Sequence, residues 1–217
     1  MLQVIKKNIY VCLVLILLSG CSMFGKLGVK IAPYRVIKSD NQQKIDLRHY
    51  EKIVLVSVPM DGMDSGRNSA FSKLFGYISG KNTASSKISM TAHVLLENAD
   101  KNAGVEIPMT APVFIEDASD KAKMSFVLPA TYTLDSAPTP QDPDVKLDEI
   151  KDYTVAAIIF SGLLSADNIA KQRTMLEAWI QGNGYKITGA YKVAGYNPPF
   201  TIPALRRNEV LIPVEIL

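Results

Sequence analysis

One pattern, met twice, limits this chain more than any other feature. Leu74, Tyr77, Ile78 and Gly80 close one helical stretch, and Leu176, Trp179, Ile180 and Gly182 close another 102 positions later. The first helix is expected over about 65–79, capped by Asp64 or Ser65 and left at Gly80, and the second over about 165–181. A pair of strand-like runs precedes each helix at nearly the same separation, 44–50 with 53–58 and 145–150 with 154–160. This reads as a duplicated unit of two strands, a helix and further strands, that is, two pseudo-repeats. Neither copy could bury its helix alone. The two are therefore expected to share one sheet system, curved or closed as a barrel, with both helices packed on it.

The other strand signals fit that plan. They fall at 34–39, 87–96, 105–115, 123–128, 188–196 and 209–216, and a loop rich in proline and aspartate, 129–143, divides the halves. Alternation within 44–50 sets His49 on one face with Ile45 and Leu47, opposite Asp46, Arg48 and Tyr50. Met90 and Ala92 likewise share a face opposite Thr91, while His93 joins Ser89 and Thr91 toward solvent. The two helices differ in one respect. At the common offset, Phe71 and Phe75 meet Arg173 and Glu177. An aromatic pair where the twin carries charges marks either an interaction surface or core covered by a neighbouring loop such as the one after Gly80, and Phe71 and Phe75 are expected to wall a groove.

The first twenty residues read as a secretory signal, with Lys6 and Lys7 ahead of an apolar run from Ile9 to Leu18. That run is shorter than the ~20 residues a membrane-spanning helix needs. Leu18-Ser19-Gly20-Cys21 resembles the bacterial lipobox, which places cleavage before Cys21 and a lipid on its thiol. The expected organisation is a signal over 1–20, a tether over 21–32 and one domain over 33–217. Acyl chains acting together hold a protein to a membrane. Ser22 favours the outer membrane, so the expected location is the bacterial cell envelope, facing the periplasm. Cys12 leaves with the signal. Of 24 basic residues Lys6 and Lys7 leave too, and the remaining 22 face 21 acidic ones, a balance unlike that of a nucleic-acid binder.

Signatures of catalysis are lacking. No pair of histidines sits one helical turn apart, there is no nucleophile elbow, and the mature chain has no thiol to activate. Gly182, Gly184 and Gly189 follow a helix instead of opening one, so they build no phosphate loop. Asp142, Asp144 and Asp148 lack the glycine and terminal glutamate of a calcium loop. The chain is not expected to be an enzyme.

Several short motifs stand in a fixed order: 74–82 (LFGYISGKN), 87–92 (KISMTA) with a second copy at 107–113 (IPMTAPV), 124–129 (MSFVLP), 160–162, 196–199 (YNPP) and 206–210 (RRNEV). In these the chain resembles the SOUL haem-binding proteins over nearly its whole mature length. His93 departs from the pattern, standing where proline usually follows the first copy of Met-Thr-Ala. The resemblance implies an α+β fold, a distorted antiparallel β-barrel flanked by two helices and built from two similar halves. It also implies noncatalytic binding of haem or another tetrapyrrole. His49 occupies the place where some members carry a proposed axial iron ligand. Phe71 and Phe75 would then wall the tetrapyrrole groove, with Lys73 or Lys81 near its rim for the ring's carboxylates; Arg67 and Lys87 are further basic candidates. An alternative from a different class is an envelope interaction protein using the same groove for another hydrophobic ligand or a protein partner. Protein partners themselves are not named by the sequence.

Overall fold

The structure, a computed structural model, describes residues 28–60, 66–84, 104–116 and 122–216. Its strands are β1 (Lys30–Ile31), β2 (Arg35–Asp40), β3 (Ile45–Pro59), β4 (Asn82–Thr83), β5 (Thr110–Ala111), β6 (Val113–Glu116), β7 (Lys123–Val127), β8 (Thr139–Pro140), β9 (Lys146–Phe160), β10 (Lys186–Ile187), β11 (Lys192–Gly195) and β12 (Asn208–Glu215). Two helices, α1 (Arg67–Ile78) and α2 (Ala166–Gly182), stand between them. The order β3-β7-β6-β11-β12-β9 returns to β3, so six antiparallel strands close a barrel, with β2 added beside β3 and β10 beside β12. The α+β barrel with two helices is the expected class.

Strand alternation divides the core into two layers. Leu74, Tyr77 and Ile78 of α1 and Leu176, Trp179 and Ile180 of α2 are all buried on a cluster that includes Val56, Ile158 and Val210. That layer lies under the helices, between them and the outer face of the barrel. A second cluster takes Leu55, Phe114, Val127, Ala157, Ala194 and Leu211, one from each of the six strands. Contributions from every strand place it inside the barrel, which side chains fill.

Each expected pair of strands is one strand. β3 and β9 run fifteen residues apiece and pair from Ile45↔Ile158 to Ser57↔Lys146. What the sequence suggested as a break is a kink: Glu51 and Asp152 drop out of the ladder, and Asp152 takes φ 49°. The kink exchanges the faces. Ile45 and Leu47 share their layer with Val54 and Val56, whereas Tyr50 shares the interior with Ile53 and Leu55. The expected strand over 105–115 is likewise divided into β5 and β6 by Pro112, which has no N–H to give the ladder. The expected strand over 87–96, with His93, Lys87 and Met90, lies outside the described residues.

Helix α2 begins as read, with the Ser165 side chain accepting from Asn168 N–H at 3.4 Å. Helix α1 begins at Arg67 behind Gly66 with no side-chain cap; Asp64 and Ser65 lie outside the described residues. Its exit is tightly built. Gly80 takes φ +105°, and a Cβ on Gly104 would lie 1.8 Å from the Gly80 carbonyl oxygen. Fully buried Asn82 donates to the carbonyls of Tyr77 (2.7 Å) and Val105 (2.8 Å) and accepts from Val105 N–H (2.9 Å). The 74–82 motif is therefore a joint that fixes α1 against the returning chain at 104–107.

Candidate ligand-binding groove

A groove of about 570 Å³ runs along the barrel's outer face beside the first half of α1. This volume lies within the ~300–1,000 Å³ typical of small-molecule sites. Val113, Ile115 and Met124 form the floor, from β6 and β7. Phe71 makes one wall, and Leu163 and Leu164, ahead of α2, contribute another part of the lining. Arg67, Pro199 and Arg206 line it as well. Arg206 is held in place by donating to the carbonyls of Thr201 and Pro199, while its Nη1 makes no hydrogen bond among the described residues.

The sequence comparison of the helices located part of this site. Phe71 and Phe75 are 40% and 50% exposed and stack at 6.1 Å, with Phe71 set edge-on against Phe126 at 5.3 Å. On α2 their counterparts Arg173 and Glu177 pair at 2.7 Å in solvent. Only Phe71 lines the groove. Phe75 faces a neighbouring cleft of about 400 Å³ with Ile107 and Met109.

Lys73 and Lys81 do not stand at the groove's rim. Two helical positions from either phenylalanine is a turn of about 200°, which carries Lys73 around the helix. There it joins Lys81, Tyr77 and Asp142 around a separate pocket, and its ammonium pairs with Asp144 and, at 3.7 Å, with Asp142. His49 is also elsewhere. It is half-buried, its Nδ1 lies 3.0 Å from Thr154 Oγ1, and it lines a pocket with Tyr34, Arg35 and Lys52 that shares no residue with the groove. No group of three or more histidine, cysteine, aspartate or glutamate side chains able to hold a metal occurs among the described residues. Cys21 lies outside them.

The groove suits a flat apolar molecule with acidic edges, such as a tetrapyrrole. Its floor is aliphatic and thioether and its walls include Phe71 and Leu163, with Asn68, Ser165, Asn197 and Asn208 adding polar groups, and both charged residues of the described lining are arginines, which pair well with carboxylates. Among the described residues the lining includes no imidazole or thiol, so that donor set offers iron no strong ligand. Arg206 and Leu163 escaped the sequence reading as groove residues because both lie in loops, where periodicity carries no signal.

The model of the family described as SOUL heme-binding protein matches residues 29–213. The chain belongs to this family. Among its relatives are heme-binding protein 2 of Homo sapiens, 31% identical over 168 residues covering 76% of this chain and 75% of that protein, and heme-binding protein 1 of Mus musculus, 27% identical over 197 residues covering 87% and 94%. A structure described as a hydrolase from Listeria innocua superposes with a TM-score of 0.53 over 80% of this chain and 92% of that one, at 13% identity. At that identity the likeness shows the fold alone.

The last motifs of this SOUL chain build one end of the barrel interior. Glu209 is fully buried and accepts from Arg48 Nη1 (2.8 Å), Tyr196 Oη (2.8 Å) and Arg207 Nη2 (2.6 Å). Tyr34 stacks over the Arg48 guanidinium at 4.4 Å. Burial works against charge on Arg48, but the field and hydrogen bond of Glu209 outweigh it and hold the guanidinium above its ordinary range. Burial pushes the Tyr50 phenol up to about 12, and it raises Tyr77, Tyr153 and Tyr196 as well. These phenols hold their protons more tightly in the fold, so their contribution is complete below the ordinary value of 10 and is lost as pH rises toward about 12. Thermal midpoints measured from neutral to strongly alkaline pH should fall across that window, with tyrosinate absorbance rising at the same transition.

Proposed function

We propose that this SOUL protein binds haem or a related tetrapyrrole in the groove beside α1, without chemistry of its own, as a lipid-anchored protein of the cell envelope. The observation that carries the reading is the union of an apolar floor, an exposed Phe71 and two arginines in one cavity of suitable size. The family match and the names of the relatives support the same ligand class. Phe71, Val113 and Ile115 would hold the ring, and Arg67 and Arg206 its carboxylates. Haem would bring its own iron, and the chain's part is to bind and shelter the ring. The anchor reading rests on the signal layout and Cys21.

Hemin titration should give a saturable Soret shift. Metal-free protoporphyrin should compete with hemin at comparable affinity, because the described residues of the groove offer iron no imidazole. The His49→Ala protein should give the same hemin spectrum as the parent; a changed spectrum would restore His49 as an axial ligand and move the site to its pocket. After a high-salt wash the Cys21→Ser protein should leave the membrane fraction, and retention there would count against the anchor.

A further inference from the structure

The loop joining β11 to β12 is built to show its apolar side chains to the outside. Between Gly195 and Asn208 it reads Tyr-Asn-Pro-Pro-Phe-Thr-Ile-Pro-Ala-Leu-Arg-Arg, without an acidic residue and ending on two arginines. Phe200 is 62% exposed, Leu205 45% and Ile202 40%. Such exposure in a slack loop would mean little, but this loop is pinned. Thr201, between Phe200 and Ile202, is buried to 1%. Its carbonyl receives Arg206 Nε at 2.8 Å, Leu205 N–H donates to Ile202 at 2.9 Å, and Gly162 N–H donates to Pro203 at 2.8 Å. Asn197 Oδ1 accepts Arg207 N–H at 2.7 Å. Much of the loop's backbone is thus satisfied from within while its apolar side chains stay outside, the condition for entering a medium that cannot supply hydrogen bonds.

The place of the loop adds direction. Its base, Gly195, pairs with Val113, which follows β5; β5 pairs with β1, where the N-terminal segment joins the domain. Tyr34, a few residues on, accepts from Arg207 Nη2 at 3.3 Å. The entering chain and the apolar loop therefore lie at one end of the barrel, and Leu163, 57% exposed, adds to the apolar surface near it. Lys30 stands nine positions after Cys21, an extended reach of about 30 Å.

We infer that the 197–206 loop is a membrane-contacting tip whose Phe200, Ile202 and Leu205 enter the interface of a lipid bilayer, with Arg206 at the headgroup level. Apolar side chains flanked by basic ones are the composition that binds there. Because Pro199 and Arg206 also line the groove, contact would present the groove to the bilayer surface, so that an amphiphilic ligand could pass between them without crossing bulk water. This last point rests on the groove reading above, whereas the membrane contact does not.

The test places an environment-sensitive fluorophore on the Phe200→Cys protein reconstituted in phosphatidylglycerol and phosphatidylcholine vesicles. The same label on Ile187→Cys, paired to the far end of β12, serves as the control. The expected result is a blue shift and strong quenching by bromolipids at position 200, with neither at 187. In vesicle flotation, the Cys21→Ser protein should bind anionic vesicles and lose most of that binding when Phe200, Ile202 and Leu205 are all changed to serine. A label that stays in water at position 200 overturns the proposal even where the anchor still holds the protein to the vesicle, and so does a label shielded only on adding a protein extract. Retained hemin binding in the triple variant shows that the domain is folded.

Discussion

Replacing Glu209 with alanine is expected to lower the free energy of unfolding by about 3–5 kcal/mol, the usual cost of removing one partner from a buried ion pair. Glu209 takes hydrogen bonds from Arg48, Tyr196 and Arg207, and both it and Arg48 are fully buried. Asp46 would still hold the other side of the Arg48 guanidinium at 2.9 Å, but Nη1 would be left facing the interior without its acceptor. In a domain of this size the midpoint should drop by roughly 6–20 °C. Urea unfolding should show a lower midpoint with an unchanged slope. Changing Arg48 to methionine and Glu209 to leucine together should recover part of the loss, since apolar groups then fill the space of the pair. A loss below about 1 kcal/mol in the single variant would mean that the pair is not load-sharing with the barrel.

The barrel interior and the groove were legible to different degrees, and the reason is local. Both helices and their buried faces could be read because Leu74, Tyr77 and Ile78 repeat with helical spacing, and no longer-range fact was needed to place them inward. The exposure of Phe71 and Phe75 could be read for a related reason: α2 supplied a comparison within the same chain. The kink at Glu51 and Asp152 was legible only as a break in each run, because whether the two pieces stay one strand depends on the pairing of β3 with β9, about a hundred residues apart. Lys73 did not share that limit, since helical spacing alone turns it away from Phe71 and Phe75, to where Asp144 pairs with it. Glu209 lies within the 206–210 motif, yet its role depends on Arg48, which alternation sets opposite His49 without showing what that face encloses.

These two layers also decide where a ligand fits. The interior holds aromatic rings and a charge network, whereas the floor of the groove belongs to the layer under the helices and opens between the start of α1 and the 197–206 loop. A groove substitution should therefore separate binding from stability in a way an interior one cannot.

Changing Phe71 to serine should weaken hemin binding by roughly 10- to 100-fold, the equivalent of about 1.5–3 kcal/mol for removing a large apolar side chain from a contact surface. The cost to the fold should be smaller, about 1 kcal/mol, because Phe71 is 40% exposed and its interior contact is one edge-on meeting with Phe126. Phe75→Ser provides the matched control. That residue is more exposed, stacks on the same ring and lines the neighbouring cleft, so its loss should change hemin affinity much less. Equal losses from the two would place the ligand across the stacked pair instead of in the groove. Undisturbed affinity in both, measured by Soret titration with folded protein, would move the site away from α1 altogether.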